Sequence, residues 1–121
     1  MPIFRFADIV LTKAEALLRG ARATNADTPE SLLNQIRAYV HAAKFVGTPK
    51  LQDILDERGR EFVDENWRRN DMIRFGTFES EYGFHLKGFP GARFDKSCRI
   101  LPVPKAIMDE NQNWEQNEGY K

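Results

Sequence analysis

Apolar side chains recur three and four positions apart in the first part of the chain, which is the spacing of one face of an α-helix. Gly20 follows the first such segment. Because glycine readily adopts the left-handed conformation found just after a helix, the first helix is predicted to stop there. The buried stripe of this helix is predicted to be Ala7, Val10, Leu11, Ala14, Leu17 and Leu18. Its polar face is predicted to carry Asp8, Thr12, Lys13, Glu15 and Arg19.

A second and a third helix are each predicted to begin at a Thr-Pro pair. Thr28-Pro29 places threonine at the N-cap and proline at the first helical position, and Thr48-Pro49 repeats the pair. The second helix is predicted to end at Gly47, with an apolar stripe made of Leu32, Leu33, Ile36, Val40 and Ala43. The third is predicted to continue to Met72 and Ile73 with a bend near Asn66, and its inward side chains are Leu51, Ile54, Leu55 and Phe62.

These elements predict an all-α fold, with an antiparallel helical hairpin of the tetratricopeptide-like kind and a long third helix. The first 74 residues are predicted to hold the helices. Residues 75–99, rich in aromatic residues and glycine, are predicted to be an irregular loop, and 100–121 an extended tail with one helical turn at 106–110. No second copy of a repeat is present, and a lone hairpin cannot bury both of its faces. We therefore expect further structure beside the hairpin.

Composition excludes several classes of protein. Eighteen basic residues balance eighteen acidic ones, which removes the electrostatic argument for a nucleic-acid partner. No apolar run is long enough to span a bilayer, and the sequence as given has no export signal. A single cysteine, Cys98, forms no disulfide framework, and His41 and His85 lack the spacing of a zinc site.

The segment from Asp56 to Arg74 is unusually charged, with eleven of its nineteen residues acidic or basic. Opposite charges lie three or four positions apart, which is typical of a helix with internal salt bridges. An enzymatic alternative would use Glu57 and Glu61, or Glu61 and Glu65, as an acid–base pair for glycoside hydrolysis. That chemistry needs carboxyl groups about 5–9 Å apart across a cleft, and adjacent helical turns provide no cleft. We therefore predict that these glutamates are not catalytic and that the chain is not an enzyme.

The order of several motifs resembles the C-terminal part of the SusD/RagB family of outer-membrane nutrient-uptake lipoproteins. That family begins this segment with Arg-hydrophobic-Ala-Asp and Ala-Glu-Ala, which stand here as Arg5-Phe6-Ala7-Asp8 and Ala14-Glu15-Ala16. Its Asn-x-hydrophobic-Arg marker is Asn34-Gln35-Ile36-Arg37. Its charged helix motif appears as Glu57-Arg58, Glu61-Phe62, Glu65-Asn66-Trp67-Arg68 and Asp71-Met72-Ile73-Arg74, with Asn66 in place of a glycine.

The family's C-terminal signature is present too. Its Pro-hydrophobic-Pro is Pro102-Val103-Pro104, and its closing Gln-Asn-Pro-Gly-Tyr is Gln116-Asn117-Glu118-Gly119-Tyr120. Gln112 and Glu118 replace two prolines of the family pattern without a change of register. The resemblance thus covers nearly the whole chain in the right order.

The resemblance implies a helical protein on the bacterial outer surface that binds oligosaccharides or other nutrients. It implies that the protein is not an enzyme and needs no cofactor. It also implies a partner, a TonB-dependent transporter of the SusC type, over which such proteins act as a lid. Family members are several times longer and begin with a lipoprotein signal. We therefore expect the chain to be the C-terminal portion of a larger protein, as a cloned fragment, a degraded gene or a late-start gene model.

The resemblance assigns the matched residues to architecture and leaves the ligand contacts open. Charged side chains are expected to tie the helices to each other and to the tail, namely Asp8, Arg37, Glu57, Arg58, Arg68, Asp71 and Arg74. Tyr82 and Trp114 are the candidate sugar contacts, because each combines a ring with a polar group. The alternative to glycan binding is a stand-alone helical-hairpin scaffold or protein-interaction module without a ligand of its own.

Overall fold

The computed structural model describes residues 4–79 and 95–120. Its helices are α1 (Phe6–Leu18), α2 (Pro29–Tyr39), α3 (Leu51–Glu61), α4 (Arg68–Phe75) and α5 (Lys105–Glu110), with a short 3₁₀ helix at Lys96–Arg99. All regular secondary structure within these described ranges is helical, which confirms the predicted all-α class. The chain divides into two compact units, Met1–Asp71 and Met72–Lys121.

The core of the first unit forms where α1 contacts both α2 and α3. Its most completely buried apolar side chains are Leu11, Ala14, Leu33, Ile54 and Leu55. These positions match the predicted stripes. The antiparallel orientation of the hairpin stays a prediction. In the second unit, Met72 and Phe78 are buried.

Two helix ends agree with the sequence prediction. Gly20 follows α1 with a φ of 97°, and the amide of Ala21 donates to the carbonyl of Ala16 at 2.9 Å. At the start of α2, the Ser31 amide donates to Oγ1 of Thr28 at 3.1 Å, while the Thr28 amide donates to Oγ of Ser31 at 2.9 Å. Thr28 is therefore the predicted N-cap, and it forms a reciprocal capping box.

The predicted end of the second helix at Gly47 is wrong. α2 ends at Tyr39 because His41 adopts a left-handed φ of 55°, and the Ala42 amide then bonds to the Arg37 carbonyl at 2.8 Å. Val40 and Ala43 are consequently exposed and do not belong to the apolar stripe.

The third helix also differs from its prediction at both ends. Its N-cap is Lys50 rather than Thr48, and the side chain of Asp53 accepts a hydrogen bond from the Lys50 amide at 2.7 Å. Instead of bending near Asn66 it stops at Glu61, and α4 starts at Arg68 as a separate helix. Asp64 and Asn66 have φ values of 64° and 63°, so the predicted bend is a turn with two left-handed residues.

Candidate functional site

The charged side chains of the first unit meet at Arg58, whose side chain is 2% exposed. Its Nη1 donates to Asp8 at 2.7 Å and its Nε to Asp71 at 2.9 Å. Burial alone lowers the pKa of Arg58, but the bonds to Asp71 and Asp8 raise it above its ordinary value. Arg58 thereby links α3 to α1 and α4, which confirms the predicted ties between these helices, while the predicted ties to the tail stay a prediction. Asp8, predicted on the polar face of α1, is instead buried because it pairs with this arginine.

A second arginine holds two of the carboxylates considered for catalysis. Arg5 donates through Nη1 to Glu61 at 2.9 Å and through Nε to Glu65 at 3.1 Å. The bond to Glu65, helped by the one to Glu61, raises the pKa of Arg5. Arg5 also lies over the ring of Phe62, 5.0 Å from its centroid. The start of α1 is thus fastened to the end of α3.

Glu57 also forms salt bridges with arginines. Its Oε2 accepts from Arg37 at 3.0 Å and from Arg60 at 2.6 Å, and its side chain is 6% exposed. Each of the three glutamates thus bonds to arginine inside the fold, which is the geometry of structural salt bridges. The arrangement holds helices together and offers no acid–base pair across a cleft.

Two carboxamides bind the backbone of non-helical segments, a role that the sequence analysis missed. Asn34 donates to the Phe45 carbonyl at 3.1 Å and accepts from the Phe45 amide at 2.7 Å. Gln116 bonds the carbonyl and the amide of Val103 in the same manner, both at 2.8 Å. Each side chain replaces the partner that a neighbouring strand would supply. Both residues lie in motifs that carry the family resemblance.

The rest of the C-terminal signature completes a tail clamp, formed by Gln116, Asn117 and Gly119. Asn117 donates to the carbonyl of Leu101 at 2.7 Å. At Gly119, a Cβ atom would lie 2.3 Å from Cβ of Ser97, so only glycine fits. A groove of about 570 Å³ adjoins the clamp, but Ser97 and Asn117 on its wall already bond within the protein.

Of the two candidate sugar contacts, Trp114 is among the described residues and Tyr82 is not. Trp114 is 55% exposed in the second unit, with its ring open to solvent. Tyr82 lies outside the described residues, as does His85. Cys98 is half-buried and His41 is exposed.

Within residues 4–79 and 95–120, no three side chains of His, Cys, Asp or Glu are grouped as a metal site. Over the same ranges, no helix has the length and apolar character needed to cross a bilayer.

Comparison with known proteins adds the family. The sequence profile of the SusD family matches residues 1–120. The chain is also 35% identical, over 124 aligned residues, to the starch-binding protein SusD of Bacteroides thetaiotaomicron. That alignment covers all of this chain and 22% of the relative, so the chain spans about a fifth of the relative's length. SusD/RagB proteins are binding proteins rather than enzymes. With a match along its whole length, the chain belongs to the SusD family.

Proposed function

We propose that the chain is part of a cell-surface lipoprotein of the outer membrane that binds oligosaccharide and delivers it to a TonB-dependent, SusC-like transporter. The observation that carries this proposal is the similarity of the whole chain to a protein named for starch binding. The transporter partner and the surface location are what membership of the family suggests.

The first test is the mass and the cell fraction of the natural product, detected with an antibody against this segment. We expect a band much larger than 14.0 kDa in the outer-membrane fraction. A band of 14.0 kDa outside that fraction would instead favour the helical scaffold without a ligand.

Within the chain, Trp114 and Tyr82 are the proposed sugar contacts. The exposed ring of Trp114 supports its part in this, because an aromatic face can stack on the C–H face of a pyranose. In affinity electrophoresis, the protein migrates through a gel that contains starch. Trp114→Ala and Tyr82→Ala should each weaken the retardation of the protein by the starch. Tyr39→Ala, which removes another exposed aromatic ring, is the matched control. Unchanged retardation of a Trp114 or Tyr82 variant would remove that residue from the proposal.

The scaffold alternative is favoured by one observation. Phe6 and Ile9 on α1 are large, apolar and more than half exposed, as on a surface that contacts protein.

A further inference from the structure

Side chains of α2 hold the segment that follows this helix in an extended conformation. The carboxamide of Asn34 bonds to both the amide and the carbonyl of Phe45, at 2.7 and 3.1 Å. One planar group reaches both only if they point the same way, which is the geometry of an extended residue and not of a helical one. Nη1 of Arg37, one turn further along α2, donates to the carbonyl of Ala43 at 3.0 Å. Ala43 and Phe45, two positions apart, therefore turn the same side of the backbone toward α2.

The opposite side of this segment is open. Successive residues of an extended chain direct their N–H and C=O groups to opposite sides, so those of Lys44 and Val46 face away from α2. Within residues 4–79 and 95–120, neither residue makes a backbone hydrogen bond. Both are exposed, Val46 to 85%. We call the backbone groups of Lys44 and Val46 the outer edge, which has the unpaired donors and acceptors of an edge strand in a sheet.

The tail of the chain holds another residue in the same way, but there the open side is blocked. Gln116 bonds to the amide and the carbonyl of Val103, both at 2.8 Å. Pro102 and Pro104 lie on either side of Val103 and have no N–H, and proline at such positions stops a further strand from pairing. The outer edge, in contrast, keeps both of its N–H groups and can pair.

The charges along the same stretch indicate the kind of occupant. From Ser31 to Gln52 the sequence contains no Asp or Glu, although the whole chain has eighteen acidic residues. Lys44 is exposed and forms no salt bridge with a described residue. Its side chain lies on the same face as that of Val46, because side chains alternate along an extended chain. A paired strand is therefore favoured by an acidic residue opposite Lys44 and a β-branched residue opposite Val46.

We propose that the outer edge binds an extended peptide segment of another protein, acidic and rich in β-branched residues. The peptide adds to residues 43–46 as a neighbouring strand, the mode of recognition known as β-augmentation. Main-chain hydrogen bonds to the outer edge give the affinity, and the side chains of Lys44 and Val46 select the sequence. The proposal does not depend on glycan binding, since neither residue is a proposed sugar contact.

The test uses the 121-residue chain and a short peptide with both ends capped, Thr-Val-Thr-Glu-Thr-Val-Thr. Glu lies between two valines on one face of this peptide, so it matches Lys44 and Val46 in either strand direction. NMR titration gives the dissociation constant, and amide hydrogen exchange locates the bound peptide. At saturating peptide, exchange of the Lys44 and Val46 amides should slow by about tenfold or more.

Proline substitutions distinguish the two sides of the segment. Val46→Pro removes an N–H of the outer edge and keeps Phe45 extended, so it should weaken peptide binding about tenfold. Ala43→Pro is the matched control, because the N–H that it removes faces α2 and bonds to no described residue. It should change the dissociation constant by less than about threefold. Circular dichroism shows whether each variant is folded.

A charge exchange tests the sequence preference without changing the backbone, and it decides the matter if Val46→Pro does not fold. Lys44→Glu should weaken binding of this peptide about fivefold, and a peptide with Lys in place of Glu should restore the binding. Lys105→Glu makes the same change of charge at an exposed position of the second unit. It should leave the dissociation constant within about twofold.

Four results would overturn the proposal. The first is no binding of the peptide at concentrations up to about 1 mM. The second is slowed exchange at other amides while those of Lys44 and Val46 are unaffected. The third is a dissociation constant that does not change in folded Val46→Pro or in Lys44→Glu. The fourth is slow exchange of the two amides in the free chain that grows with protein concentration, because the occupant would then be a second copy of the chain.

Discussion

At the scale of single residues, Arg58 is a buried charge that bonds to two buried carboxylates of the first unit. It is buried with Asp8 and Asp71, so Arg58→Ala would remove an arginine bond from each of two carboxylates in a desolvated site. We expect a loss of about 3–5 kcal/mol in the free energy of unfolding, or roughly 10–20 °C in Tm. Thermal unfolding followed by circular dichroism measures it.

Lys13→Ala is the control for this prediction. Lys13 pairs with Asp27, and about a third of each side chain is exposed, so its removal should cost less than about 1 kcal/mol. Equal, small shifts for the two variants would show that the Arg58 network contributes little to stability.

Glu79 and Arg99 form an ion pair in the second unit, and from this pair we predict how the stability of the fold changes at acid pH. The bonds from Arg99 lower the pKa of Glu79 below its ordinary value near 4.5. Because the pKa of Glu79 is lower in the folded state than in the unfolded state, the ionised carboxylate stabilises the fold at pH values above its unfolded-state pKa. This stabilisation is lost as the pH falls through the folded-state pKa.

Arg99→Gln should therefore raise the pKa of Glu79 and reduce the loss of stability in acid. Carbon-detected NMR of the Glu79 carboxyl group, titrated from neutral to acid pH, measures the change. Arg22→Gln, at an exposed arginine, should leave the pKa of Glu79 unchanged. A Glu79 pKa that is equally low without Arg99 would contradict the assigned cause.

At the scale of elements, the sequence predicts helix starts and ends well where local chemistry decides them. Thr28 and Gly20 act through their own side chain or backbone, and both predictions are confirmed. The end of α2 could not be predicted from His41, because a histidine at a left-handed position has no strong sequence signal. Side chains within α2 stabilise this end of the helix. Asn34 and Arg37 bind the backbone of residues 43–45, and these bonds hold that segment outside the helix.

The same limit applies to the buried charges. Periodicity places Asp8 on the polar face of α1, but its partner Arg58 is fifty positions away and becomes visible only in the folded chain. The family resemblance, rather than helical spacing, is what marks Asp8, Arg58 and Asp71 as structural. Neither route identifies a ligand contact.

The tail clamp depends on the chemistry of one side chain, the carboxamide of Gln116. Gln116 needs both halves of its carboxamide, one to accept from the Val103 amide and one to donate to its carbonyl. Pro102 and Pro104 flank Val103 and have no N–H of their own, so this residue provides the backbone donor of the segment.

Gln116→Glu keeps the acceptor but replaces the donor with a second oxygen. We expect a destabilisation of about 1–3 kcal/mol and faster hydrogen exchange at the Val103 amide, measured by NMR. Gln112→Glu makes the same chemical change at an exposed position of the tail and should have little effect. Exchange at Val103 that is the same in both variants would rule out the clamp.

At the scale of the whole molecule, charge balance and exposed apolar surface act together. The eighteen acidic and eighteen basic residues cancel near the isoelectric point of about 6.7, where electrostatic repulsion between molecules is weakest. The described part of the chain also exposes large apolar side chains, among them Phe6, Tyr39 and Leu101. Near neutral pH, little therefore opposes association through these side chains.

The concentration at which the chain precipitates should consequently be lowest near pH 6.7 and several-fold higher one to two pH units away on either side. Static light scattering should give the most negative second virial coefficient at the same pH. The double variant Phe6→Ser and Ile9→Ser should raise the minimum without moving it, because it removes apolar surface and changes no charge. A precipitation limit that does not vary with pH would mean that net charge has no part in keeping the molecules apart.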